Sequence, residues 1–231
     1  MRRTALLLLV FATIGGAPTP LEGQTDSADS HADPVGDRGF LIAKATPAPA
    51  GHGHVTAFWP GFVVVGHGAS ERVTLTGGTL PWLLPSGTGL FVGSARATIL
   101  ASPYAALALG ASGLFVFEEG GVDAGGWPFV TGTLGTPAGS LTALCGVGTG
   151  TRILGDRLAG SVLLQAMGEV AVARGVKLIA ETLYLGNGWE PIAAVGFRFW
   201  GSRGAFEIGW ALTLEAGERF HHPWAAISYG F

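Results

Sequence analysis

The stretch Pro223-Trp-Ala-Ala-Ile-Ser-Tyr-Gly-Phe231 decides how the rest of the chain is read. Phe231, Tyr229, Ile227 and Ala225 fall on one face of an extended segment, and Gly230, Ser228 and Ala226 on the other, because successive strand side chains alternate. No residue follows Phe231 to fold back over the apolar face. The expectation is a last strand that closes a sheet and turns this face toward hydrocarbon.

Composition agrees. Of 231 residues, 48% are hydrophobic and only 13% charged, and 39 are glycine. Soluble domains carry about 25% charged residues, so a chain this poor in charge is expected to expose apolar surface to lipid. The net charge of −3 gives no electrostatic attraction for nucleic acid. A single cysteine, Cys145, excludes an internal disulfide. Residues 1–23 read as an export signal: Arg2 and Arg3, an apolar run from Ala5 to Ile14, then small and turn-forming residues to Gly23. Residues 24–38, with Asp26, Asp29, Asp33 and Asp37, read as a solvated, disordered polar leader. The expected barrel is residues 39–231.

Membrane-crossing helices need about 20 uninterrupted apolar residues. The best stretch, Ala97 to Phe117, holds Pro103, Gly110 and Gly113, and reads better as two strands around Ala101-Ser102-Pro103. A closed antiparallel transmembrane β-barrel accounts for the whole chain. Twelve strand-like runs are expected, with ten as the fallback. They are Gly39–Thr46, His54–Gly66, Arg72–Leu80, Gly89–Leu100, Tyr104–Phe117 and Trp127–Gly135, then Leu141–Gly150, Ala159–Val172, Val176–Gly186, Pro191–Trp200, Ala205–Leu214 and Pro223–Phe231.

Link lengths alternate along this series. Tight links at Gly68–Glu71, Ala101–Pro103, Thr136–Ser140, Ala173–Gly175 and Gly201–Gly204 interleave with longer ones at Pro81–Thr88, Glu118–Gly126, Thr151–Leu158 and Glu215–His222. Asn187–Glu190 is a short exception. Transmembrane barrels place short turns at one end and long loops at the other. Trp59, Trp82, Trp127, Trp189, Trp200, Trp224 and Tyr229 fall near strand ends, where interfacial aromatic girdles sit.

Candidate functional residues are the charges inside strands. Glu169 shares a face with Ser161 and Gln165, opposite Val162, Leu164, Val170 and Val172. Glu181 lies on the next strand. The turn midpoint between Ser202 and Arg203 makes Arg198 and Glu207 direct cross-strand neighbours. Arg96, with Ser94 and Thr98, is a further inward candidate. Facing lipid at mid-depth costs about 2–4 kcal/mol for an Arg, so all five are expected in the lumen. Such a cluster serves as a salt-bridged brace or as a selectivity constriction. The small inward residues Gly209, Ala211, Ala226, Ser228 and Gly230 leave room beside it.

His52, His54, His67, His221 and His222 lack the ligand spacing of a zinc site, and the aspartates lack that of a calcium loop. No Gly-rich phosphate loop or paired nucleophile and base is visible. No metal, cofactor or enzymatic activity is expected.

The terminal strand resembles the C-terminal targeting strand of bacterial outer-membrane barrels. The segments Gly68-Ala-Ser-Glu-Arg-Val-Thr-Leu-Thr-Gly-Gly78, Val176-Lys-Leu-Ile-Ala-Glu-Thr-Leu-Tyr184 and Val195-Gly-Phe-Arg-Phe-Trp200 resemble the hairpin rhythm of small, functionally unassigned porin-like outer-membrane barrels. The resemblance implies an outer-membrane location, lipids as surroundings, and recognition of Phe231, Tyr229 and Ile227 by barrel-assembly machinery. It transfers no catalytic residue. The expected function is a passive channel for small solutes. The alternative is a non-conducting structural or surface-interaction barrel with a salt-bridged lumen.

Overall fold

The computed structural model describes residues 33–40, 42–59, 61–81, 83, 87–118, 121–150, 159–186, 191–213 and 221–231. The expected export signal and positions 24–32 of the expected leader, with Asp26 and Asp29, lie outside these residues, as do Trp82 and Trp189.

The described strands are β1 (Gly53–Phe58), β2 (Phe62–Gly68), β3 (Val73–Thr79), β4 (Gly89–Ala101), β5 (Ala105–Glu118) and β6 (Gly121–Thr136). They continue as β7 (Gly139–Val147), the two-residue β8 (Thr149–Gly150), β9 (Val162–Ala173), β10 (Val176–Leu185), β11 (Ile192–Trp200), β12 (Gly204–Thr213) and β13 (His221–Gly230). All pairings are antiparallel. β8 extends the β7 side of the ladder against Gly125 and Gly126, so the wall has twelve staves. Closure is direct: β5 pairs β6 and β1 pairs β13, so no stave is left as an edge. That closure satisfies the backbone polar groups that hydrocarbon cannot.

The outer face follows the alternation read from the sequence. Phe206, Ile208 and Trp210 of β12 point out, as do Ile227, Tyr229 and Phe231 at the chain end. Val195, Phe197 and Phe199 continue that band on β11. Phe231 is tied to the wall by two backbone hydrogen bonds with Gly53, both 2.8 Å. The turns that follow β2, β4, β6, β9 and β11 share one end with the start of β1 and the chain terminus; this is the turn end. The opposite end is the loop end.

Twelve staves were expected, but by a different path. The run His54–Gly66 is two strands, not one: the chain reverses between Phe58 and Phe62, with Gly61 at φ 118°. Proline followed by glycine is a strong reversal signal, masked here by the aromatic and β-branched residues on both sides. Gly39–Thr46, expected as the first strand, joins no ladder of the wall. Together with residues 33–38 and 47–48 it lies inside the barrel as a plug. The expected leader is therefore ordered at Asp33–Arg38, where Val35 is 0% exposed and Asp37 and Arg38 are buried.

Glu118–Gly126 is also not an open loop. β5 and β6 stay paired as far as Glu118 and Gly121, because a glycine-rich segment can pair through its main chain whatever its side chains. Nor do all the tryptophans form a girdle. Trp224 points inward onto Phe40, their rings 4.2 Å apart and edge to face. Trp127 packs inside against Val116 and Phe129, and Trp200 lies under the Lys177 ammonium at 5.4 Å.

Candidate functional site in the lumen

The plug cannot satisfy its backbone through a ladder, and Pro34, Pro47 and Pro49 remove three donors from it or its flanks. The wall's side chains take over. Ala45 N–H donates to Thr133 Oγ1 at 2.9 Å and Ala48 N–H to Thr74 Oγ1 at 3.0 Å. Thr98 Oγ1 donates to the Ala45 carbonyl at 2.7 Å. Phe40 N–H donates to Glu181 Oε1. Within the plug, Lys44 N–H donates to the Asp37 carbonyl and Gly39 N–H to that of Ile42. Buried backbone groups need such partners, and inward threonines, with Glu181, supply them from around the barrel.

Arg198 is the centre of the grip. Fully buried, it donates from Nε to Glu207 Oε1 at 2.6 Å, across the β11–β12 register that pairs the two residues. Its other nitrogens reach the plug: Asp33 Oδ2 at 3.1 Å, the carbonyls of Val35 and Arg38 at 3.0 Å, and that of Gly39 at 2.8 Å. Arg38 returns the contact, with Nη2 near Thr56 Oγ1, Ser228 Oγ and Glu207 Oε1 at 3.1, 3.3 and 3.4 Å.

The other expected site residues complete two further clamps. Glu169 Oε1 accepts from Lys44 Nζ at 2.5 Å, Ser140 Oγ at 3.0 Å and Lys177 Nζ at 3.5 Å. Arg96 Nη2 donates to Asp37 Oδ2 at 2.8 Å and also meets the carbonyls of Asp37 and Thr46. Arg96 thus joins the lumen network through the plug, not through the wall glutamates. The charges of the described lumen balance. Among the described residues the wall contributes Arg96, Lys177 and Arg198 against Glu169, Glu181 and Glu207, and the plug Arg38 and Lys44 against Asp33 and Asp37. Lys177 was missed because it sits beside a turn. The plug residues were missed because a polar run before a strand-like run signals a leader.

The plug's carboxyls show how the clamps work. Burial pushes Asp33 up, but Arg198 and then Lys177 outweigh it and hold the group below the usual carboxylate range. Burial likewise raises Asp37, and Arg96, then His54, bring it below that range. Lys44 and Arg38 are lowered by burial, opposed chiefly by Glu169 and Glu207 respectively.

The small inward residues, expected to leave a passage, instead leave space for the plug and its packing. A Cβ built on Gly230 would stand 2.9 Å from Pro34 Cβ, and one on Gly209 2.8 Å from the Trp224 ring. Ser228 binds Arg38, and Ala211 packs against the Phe40 cluster. On Gly39 a Cβ would overlap the Glu181 carboxylate and the Met167 sulfur, so a larger residue there would have to displace both.

Inward side chains also change character along the barrel axis. From turn end to loop end, β10 presents Lys177, Ile179, Glu181, Leu183 and Leu185, and β4 presents Thr98, Arg96, Ser94, Val92 and Leu90. β6 presents Thr133, Thr131, Phe129 and Trp127; β7 presents Ser140, Thr142 and Leu144. One half of the lumen is charged and holds the plug, beside a cavity of about 410 Å³ lined by Asp33, Lys44, Glu169 and Lys177. The other is apolar and holds a cavity of about 550 Å³.

No family model matches the sequence, and no curated protein sequence matches it either. Solved structures do. The KdgM porin superposes with a TM-score of 0.57 at 9% identity, over 78% of this chain and 98% of that one. The KdgM porin in complex with disordered oligogalacturonate gives the same values. The NanC porin follows at a TM-score of 0.48 and 10% identity, over 78% of this chain and 97% of that one. At such identities the likeness concerns the barrel fold.

Proposed function

We propose that this chain is a bacterial outer-membrane channel for small solutes whose lumen is closed by its own segment 33–48. The turn end faces the periplasm, following the rule for short turns, and Phe231, Tyr229 and Ile227 form the strand end read by the assembly machinery. The observation that carries the reading is the plug's attachment. It is held by hydrogen bonds and ion pairs to inward side chains, not by strand pairing. A segment held in this way can leave without opening the sheet. Behind it stand inward hydroxyls, carboxylates and cations of the kind that line an aqueous path. The KdgM likeness supports the fold on which this rests. Its acidic sugar ligand is not carried over, because the balanced lumen charges offer a polyanion no net attraction.

Planar-bilayer conductance tests the reading. In a Cys145→Ser background, Pro34→Cys with Gly230→Cys places two thiols where a disulfide, with Cβ atoms about 3.8 Å apart, ties the plug to β13 after a small adjustment. The oxidised form should conduct less than the reduced form. Equal conductance in both would remove the plug as a closure. A folded barrel that is silent in both forms would favour the non-conducting, salt-bridged alternative.

A further inference from the structure

Water-filled transmembrane barrels have polar interiors, whereas the loop-end half of this lumen is lined by apolar side chains. Phe58, Val64, Phe129, Leu144, Leu163 and Leu183 surround the 550 Å³ cavity, with Phe40 and Trp224 at its floor. That volume lies within the 300–1,000 Å³ range of small-molecule sites. Apolar walls favour an apolar occupant over water.

The cavity is not apolar throughout. Arg38 and Arg96 also line it, with Asp37 and His54 beside them. Arg38 is 8% and Arg96 4% exposed, yet the Nε of each has no hydrogen-bond partner, and the same is true of Trp127 Nε1 on the cavity wall. These are three buried N–H donors. Leaving such a donor unmatched is unfavourable. Both terminal nitrogens of Arg38 and Nη2 of Arg96 are engaged by the plug and wall. The lining carries two guanidiniums against one carboxylate.

We propose that the loop-end cavity is a binding site for an amphipathic anion. The ligand is an apolar chain or ring system seated among Phe129, Leu144 and Leu163, with a carboxylate-type head beside the Arg38 and Arg96 guanidiniums, and Trp127 Nε1 as a further donor. The proposal rests on the channel reading and names its class of solute. A fatty-acid-like molecule satisfies both the walls and the floor; a neutral sugar would leave the walls unused, and a pure hydrocarbon the donors.

The test is calorimetric titration of the full-length barrel in phosphatidylcholine nanodiscs with dodecanoate, using empty nanodiscs as the blank and dodecanol as the uncharged comparator. Dodecanoate should bind saturably at one site, more tightly than dodecanol. Ser112→Phe, an inward residue of β5 that touches Ser94 and neither plug nor charge cluster, should fill the cavity and weaken binding by at least about tenfold. Trp127→Phe should weaken dodecanoate by about three- to tenfold and leave dodecanol unchanged. Heat-modifiable gel migration checks that each variant is folded. Binding by Ser112→Phe as tight as the parent would place the ligand in the bilayer and overturn the site. Equal affinity for acid and alcohol would overturn the recognition of the head, and the absence of saturable binding would overturn the whole proposal. A barrel that conducts but takes up no dodecanoate loses this proposal and keeps the channel; one that binds dodecanoate and never conducts does the reverse.

Discussion

The two halves of the lumen solve opposite problems with the same wall. At the turn end, Glu169, Lys177, Arg198 and Glu207 are buried charges that pair with one another and with Asp33, Arg38 and Lys44 of the plug. At the loop end, Leu144, Leu163, Leu183 and Leu185 need no partner of that kind, and a cavity is left between them. The difference teaches that the wall and the plug are one electrostatic unit at one end only. Damage at the turn end should propagate into stability. Damage at the loop end should change the cavity and little else.

Arg198→Ala is expected to do most harm. It strips Asp33 and Glu207 of their shared cation and frees three plug carbonyls. Breaking one side of a buried pair costs about 3–5 kcal/mol. A marked drop in thermal midpoint by circular dichroism in detergent should follow, with faster proteolysis of the plug. An unchanged midpoint would mean that the turn end is not locked as described.

Phe40→Ala probes the seam between the halves. Phe40 is buried among Ile42, Met167, Ile179 and Ala194, with Trp224 edge-on to its ring. Loss of a buried aromatic costs about 3 kcal/mol, so urea unfolding should shift by that order with the barrel still assembled. A shift near zero would show that the plug is held by its polar clamps alone.

Acid acts through the plug's carboxyls. Asp33 and Asp37 have folded pKa values below the ordinary 3.8, despite burial, because Arg198 and Arg96 face them. Their contribution is complete above that value and is lost as the pH falls through the lower folded values. The thermal midpoint should therefore owe no change to these two groups between about pH 8 and about pH 4 and should fall below that. Replacing both with Asn should remove the acid step. An acid step that survives the double replacement would show that these two aspartates are not its source.

The smallest effect is expected at the loop end. Leu163→Ala enlarges an existing cavity in place of opening a new one, and should cost about 1 kcal/mol, under the 2–5 kcal/mol usual for filled cores. A larger loss, read from the same urea curves, would show that the loop-end lining is packed as tightly as a core.

Much of the wall was legible because its information is local. Period-two alternation placed Phe206, Ile208 and Trp210 outside, and a turn midpoint between Ser202 and Arg203 put Arg198 opposite Glu207. The two misread segments were locally ambiguous. Phe-Trp-Pro-Gly-Phe sits in a run that is strand-like on both sides of the reversal, and Gly39–Thr46 carries the same apolar signature whether it pairs or packs. The axial change from polar to apolar lining was present in the inward positions of β4, β6, β7 and β10, but it becomes visible only when those strands are aligned by register.

By itself the sequence determined the closed antiparallel wall, its outward face and the pairing of Arg198 with Glu207, since each depends on residues two apart or on one tight turn. Only the tertiary structure decided that Asp33 to Ala48 fill the lumen, that Arg96 pairs with Asp37 and that Trp224 turns inward to Phe40. Those contacts join residues far apart in the chain. They exist because closing the sheet creates a lumen in which buried charges of the wall take partners from the plug beyond those that neighbouring strands supply.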